Sequence, residues 1–100
     1  MITVTVTALQ DARRALGWST RTIDFAGGSL EELLKDVGTQ DGKTLFDFLV
    51  ENDELRADYA VLVNGTNVSG PGAAGLLTEL DENDHVVAMT IFRVAAGGWA

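Results

Sequence analysis

Ile2-Thr3-Val4-Thr5-Val6-Thr7 alternates apolar and threonine residues with a period of two. Successive side chains of a strand point to opposite faces, so this stretch predicts a half-buried strand with Ile2, Val4 and Val6 turned inward. The run from His85 to Phe92, near the other end of the sequence, has the same strand character. Two apolar terminal strands in one small chain have a direct solution. They pair in parallel at the centre of a sheet, and a helix covers the apolar face.

The segments between them fit that plan. Leu9, Ala12, Ala15 and Leu16 have helical spacing, with Gly17 placed to end the helix. Trp18 to Phe25 is rich in Thr, Ile and aromatics and predicts a second strand, ended by Gly27-Gly28. Ser29 is a good N-cap, and Glu32 three residues on predicts a capping box. Leu30, Leu33, Leu34 and Val37 then form one apolar stripe that Gly38 stops. Thr44 with Asp47 predicts a second N-cap, before the short stripe of Leu45, Phe48 and Leu49. Asn52-Asp53-Glu54 reads as a polar connection. Tyr59 to Val63 is a nearly all-apolar buried strand. Asn64-Gly65 is a hairpin turn with Thr66-Asn67-Val68 returning. Residues 69–75 form a glycine-rich loop and Asp81 to Asp84 a turn. The expected class is α+β: a β-grasp, or ubiquitin-like, fold, with a mixed sheet and one main helix packed on one face.

Composition narrows the function. The 100 residues suit one domain, and 46% hydrophobic content is enough for a small core. With no cysteine there is no disulfide, thiolate nucleophile or Cys-based metal site. Fifteen acidic residues against seven basic ones give a formal charge of -8, which disfavours nucleic acid and anionic membranes and favours a basic partner surface. No signal pattern or membrane-length apolar run is visible, so the expected compartment is the cytoplasm. The single histidine, His85, stands at a strand start beside a turn without a positioned partner, which favours a structural or exposed role. No nucleophile–base pair or metal cluster is visible, so a free-standing enzyme is not expected and no bound cofactor is implied.

After the last strand comes Ala95-Ala96-Gly97-Gly98-Trp99-Ala100, with no loop between. The expected division is a domain over residues 1–94 and a flexible tail over 95–100. Glycine has no Cβ and takes φ of either sign, so a Gly-Gly segment can thread a narrow channel.

Several stretches carry a family resemblance. Leu55 to Asn67 has the pattern L-R-x-x, five apolar residues, then N-G. Gly75-Leu76-Leu77-Thr78-Glu79-Leu80 followed by Asp81 to Val86 is similar to a "G-L-x-T-x-L-x-x-x-D-x-V" stretch. Phe92 to Gly98 has the length of a closing "F-P-P-V-A-G-G". In that order and spacing the whole chain resembles the ubiquitin-like sulfur carriers, which include the small subunit of molybdopterin synthase and the thiamine sulfur carrier. Two departures concern the end: Arg93-Val94 stands in place of the Pro-Pro pair, and Trp99-Ala100 follows Gly97-Gly98.

The resemblance implies a carrier or substrate protein rather than an enzyme. An E1-like adenylating enzyme uses ATP to place AMP on the terminal glycine carboxylate. Sulfur then displaces AMP to give a thiocarboxylate, which a synthase subunit accepts. On this chain Gly98 would be the attachment point and Gly97 its channel-threading neighbour. Phe92, Arg93, Val94, Ala95 and Ala96 would form the partner-binding base. Gly98 is joined to Trp99 by an amide, so the resemblance further implies cleavage between them by a JAMM-type zinc metalloprotease. Two other readings use the same sequence: a ubiquitin-like modifier conjugated to lysines, and a ubiquitin-like binding module with an inert tail. The pathway that receives the sulfur is not legible.

Overall fold

The computed structural model describes residues 2–69, 73–80 and 86–94. The elements run β1 (Ile2–Ala8), α1 (Gln10–Leu16), β2 (Thr20–Phe25), β3 (Gly28–Ser29), α2 (Leu30–Asp36), α3 (Leu45–Leu49), β4 (Val50–Glu51), β5 (Glu54–Leu55), β6 (Tyr59–Val63), β7 (Thr66–Asn67), a 3-10 turn (Gly75–Leu77), β8 (Glu79–Leu80) and β9 (Val86–Arg93).

The alternation read in the sequence is the alternation of burial. Ile2, Val4, Val6 and Ala8 of β1 are buried and the threonines between them are not. β1 pairs in parallel with β9, from Thr3↔Val86 to Ala8↔Ile91. The main sheet has the order β2-β1-β9-β6-β7, so β9 is the central strand. β2 and β6 are antiparallel to their neighbours β1 and β9. Leu30, Leu33, Leu34 and Val37 of the α2 segment are fully buried in the same cluster as Ile2, Val4, Val6, Leu49 and Val61, with Val63 packed against it. No buried residue among those described is polar or charged.

Local chemistry differs from expectation in five places. The Ser29 hydroxyl accepts from the Glu32 N–H at 3.3 Å, but the reciprocal half of the box is not made. The Glu32 carboxylate lies instead where a Cβ on Gly28 would stand, and Gly28 has φ +131°, so glycine is required there. The complete box is at Thr44: its hydroxyl accepts from Asp47 N–H and its N–H donates to the Asp47 carboxylate at 3.1 Å.

Helix α2 is ended by Val37 turning extended, not by a left-handed Gly38. The Gly38 carbonyl accepts from Trp18 Nε1 at 3.2 Å and from an Arg21 guanidinium N–H at 3.1 Å. That tie draws Trp18 out of the sheet, and the second strand begins at Thr20 rather than Trp18.

Asn52 and Asp53, read as plain connection, have φ +55° and +63° and form the two-residue turn of the β4–β5 hairpin. Asn64 and Gly65 turn β6 into β7 as expected, at φ +51° and +84°. The return strand stops at Asn67, one residue short of the expected Val68. The expected turn at 81–84, His85 and part of the 69–75 loop lie outside the described residues.

Leu33→Ala should cost about 2–5 kcal/mol, the range for truncating a buried leucine, whereas Val86→Ala on the open face should stay within about 0.5 kcal/mol. Paired denaturant melts of the two variants check this placement of the core.

Candidate functional site: the base of the C-terminal tail

β9 carries the chain from the middle of the sheet to the tail. Ile91 is buried, Phe92 half-buried and Arg93 exposed. The ladder with β6 reaches Tyr59↔Arg93. One further bond follows, from the Val94 N–H to the Asp58 carbonyl at 2.9 Å. On the other side Leu9 N–H donates to the Ile91 carbonyl at 3.0 Å, and Arg93 faces Asp11 of α1 at 3.6 Å. Both ends of that ion pair are half exposed, so it contributes little to stability.

Asp58 is held by Arg56. The guanidinium Nε donates to Asp58 Oδ1 at 3.0 Å and Nη2 to Oδ2 at 2.7 Å, a two-bond fork. Nη1 donates to the Phe48 carbonyl at 3.3 Å. The guanidinium carbon lies 5.1 Å from the Tyr59 ring centroid and 5.8 Å from that of Phe48. The two rings meet edge to face with centroids 4.9 Å apart. The acids beside the tail base, Asp11 and Asp58, are thus each paired with an arginine.

Of the residues expected in the site, Phe92, Arg93 and Val94 come together here. Ala95, Ala96, Gly97, Gly98 and Trp99 lie outside the described residues. Asp11, Arg56 and Asp58 were not singled out by the sequence. The last two stand in the Leu55-Arg56-Ala57-Asp58 motif, but a spacing of two on irregular backbone says nothing about who holds whom.

Away from α2, the open sheet face carries Thr3, Thr5 and Thr7 of β1, Val86, Ala88, Thr90 and Phe92 of β9, and Ala60 and Leu62 of β6. Val86 is 67% exposed. Ala60 is itself fully buried there, and β2 adds Thr20, Thr22 and the exposed Asp24 to this face, so its β1–β9–β6 part is uncharged and Asp24 stands at its margin, opposite Thr3.

A cavity of about 160 Å³ beside Arg56 is lined by Ala15, Thr39, Asp41, Lys43, Asp47, Phe48 and Arg56. The Thr39 hydroxyl donates to Asp41 and holds its carboxyl below the usual carboxylate range, helped by backbone N–H groups and Lys43. Nothing here pairs a nucleophile with a base. Among the described residues no group of three or more His, Cys, Asp or Glu could hold a metal. No described helix is long and apolar enough to cross a membrane.

The backbone superposes on two solved structures along nearly its whole length. The solution structure of the Haloferax volcanii HVO 2177 protein matches with a TM-score of 0.66 at 22% identity, over 97% of this chain and 87% of that one. The solution structure of the small archaeal modifier protein 1 from Methanosarcina acetivorans matches with a TM-score of 0.65 at 20% identity, over 98% of each chain. The fold is a ubiquitin-like β-grasp. No protein-family model and no curated protein matches the sequence. At these identities the likeness speaks for the β-grasp fold alone, and the function must be argued from the site.

The Thr39–Asp41 contact gives a pH expectation. Thr39→Ala should return the Asp41 carboxyl upward toward its ordinary value, read by NMR titration of the side-chain carboxyl. Because the folded-state pKa is depressed, the contact's contribution is present above the unfolded pKa and is lost as pH falls through the folded one. The group is fully exposed, so the melting curve should barely respond.

Proposed function

We propose that this chain is a cytoplasmic sulfur carrier whose active form ends at Gly98. The observation that supports this most directly is the tail base. The central strand of the sheet runs to Arg93, and Val94 is tied to Asp58 only three residues before Gly97. A fixed base with a glycine tip suits a segment that enters another protein's active site. The uncharged residues that β9 shows on the open face, Val86, Ala88, Thr90 and Phe92, provide a surface for that protein to sit on.

The chemistry belongs to the partners. An E1-like adenylating enzyme would let the Gly98 carboxylate attack the α-phosphorus of ATP, with pyrophosphate leaving. The carboxylate, a poor electrophile, thereby gains AMP as a leaving group. Sulfide then adds to the acyl carbon and AMP departs, leaving a thiocarboxylate for a synthase subunit to consume. In the sequence Gly98 carries Trp99 on an amide, which has no carboxylate to activate. A JAMM-type metalloprotease cutting between Gly98 and Trp99 would release it, with Trp99 as handle and block.

The lysine-conjugating reading uses the same tail and activation. It is favoured by one finding, that a structural neighbour is a modifier protein by name. An inert-tail binding module has no such support.

Intact-protein mass spectrometry separates these readings. Incubated with an E1-like enzyme, MgATP and sulfide, the chain ending at Gly98 should exchange one terminal oxygen for sulfur, and the chain ending at Ala100 should not react. A modifier would instead leave a ladder of conjugates on lysines of other proteins in cell extract. Gly98→Ala should suppress transfer with little effect on melting, since a Cβ obstructs a narrow channel and an exposed tail adds little to the core. If the form ending at Ala100 supports sulfur transfer uncut, the processing step is wrong.

A further inference from the structure

We propose that Arg56 and Asp58 are positioning residues that set the direction in which the tail leaves the domain, by fixing the carbonyl that accepts the Val94 N–H. This deepens the sulfur-carrier reading and rests on it for its kinetic part. Asp58 lies just outside β6, so the ladder orients its carbonyl from the Tyr59 side alone. On the other side the segment 56–58 is oriented by Arg56. Its backbone N–H donates to the Leu49 carbonyl at 2.8 Å, its fork grips the Asp58 carboxylate, and its remaining Nη donates to Phe48. The pair is about two-thirds shielded, at 32% and 31% side-chain exposure, and lies against two rings. Such geometry holds better than a loose surface pair.

Val94 occupies the second position of the resembled Pro-Pro pair. Proline would fix φ there and would have no N–H to donate. This chain has the donor and uses it. The four residues beyond Val94, as far as Gly98, could span up to about 14 Å if extended, so a small change of angle at Val94 would move the terminal carbonyl by several ångströms. Holding that base lowers the ordering needed when the tail enters a channel.

The test uses 15N-labelled chain ending at Gly98. In Arg56→Met and in Arg56→Lys, which keeps the charge but not the fork, hydrogen exchange at the Val94 amide should speed up by about tenfold, with Ile91 and Leu33 unchanged. Unchanged Val94 exchange in Arg56→Met overturns the proposal, as does an equal loss at all three amides. Should Arg56→Met not fold, Asp58→Asn makes the same comparison. In adenylation by the E1-like enzyme, Arg56→Met should raise KM for the carrier and leave kcat alone. Added to Val94→Pro, which already lacks the donor, Arg56→Met should raise KM no further. A rise as large as in the Val94 background means that Arg56 acts elsewhere and refutes the clamp. If the unmodified sequence ending at Gly98 is not adenylated at all, the sulfur-carrier reading fails, and the exchange data alone decide the clamp.

Discussion

The parallel pairing of β1 with β9 is the constraint on which the rest depends. Two parallel neighbours cannot be joined by a hairpin, so the chain between them must leave the sheet and return. That excursion carries α2 across the apolar face, where Leu30, Leu33 and Leu34 close over Ile2, Val4 and Val6. It also leaves β9 between β1 and β6, hydrogen-bonded on both edges. A tail that begins at such a strand is anchored in the most supported part of the sheet rather than at a frayed margin. The same pairing leaves the opposite face open, with Val86, Ala88 and Phe92 beside the β1 threonines.

Charge is distributed so that this end of the molecule differs from the rest. Around Val94, carboxylates and guanidinium groups occur in couples, Asp11 with Arg93 and Asp58 with Arg56. Among the described residues, acids elsewhere such as Glu31, Asp36, Glu51 and Asp53 make no ion pair. The global negative field can steer encounter with a basic partner from a distance, within the screening length of about 10 Å at 0.1 M salt. Contact near the tail would then be decided by shape and apolar surface.

The elements with strict periodicity were legible. β1 alternates, the α2 stripe repeats at helical spacing, and Asn64-Gly65 names its own turn. Their burial follows from the pattern because one face had to be covered. What was not legible depended on long-range ties. Trp18 looks like a strand residue until its indole finds the Gly38 carbonyl. Glu32 promises a box until its carboxylate settles beside Gly28. Asn52-Asp53 lacks the glycine that usually marks a tight hairpin, although both residues tolerate positive φ. Of the candidate site, Phe92, Arg93 and Val94 could be placed from their position at the end of the last strand. The Arg56–Asp58 fork could not, since it closes only when α3 and β6 have brought Phe48 and Tyr59 together.

The central position of β9 has a bearing on biosynthesis. Its partner β1 is made first, while β9 leaves the ribosome after every other described element. Contacts of such long sequence separation form late and slowly. Until β9 inserts between β1 and β6, Val94 has no Asp58 carbonyl to meet and the tail has no fixed origin. A partner that reads the tail together with its base therefore reads the completion of folding as well, and a nascent or misfolded chain presents the same residues without the platform beneath them.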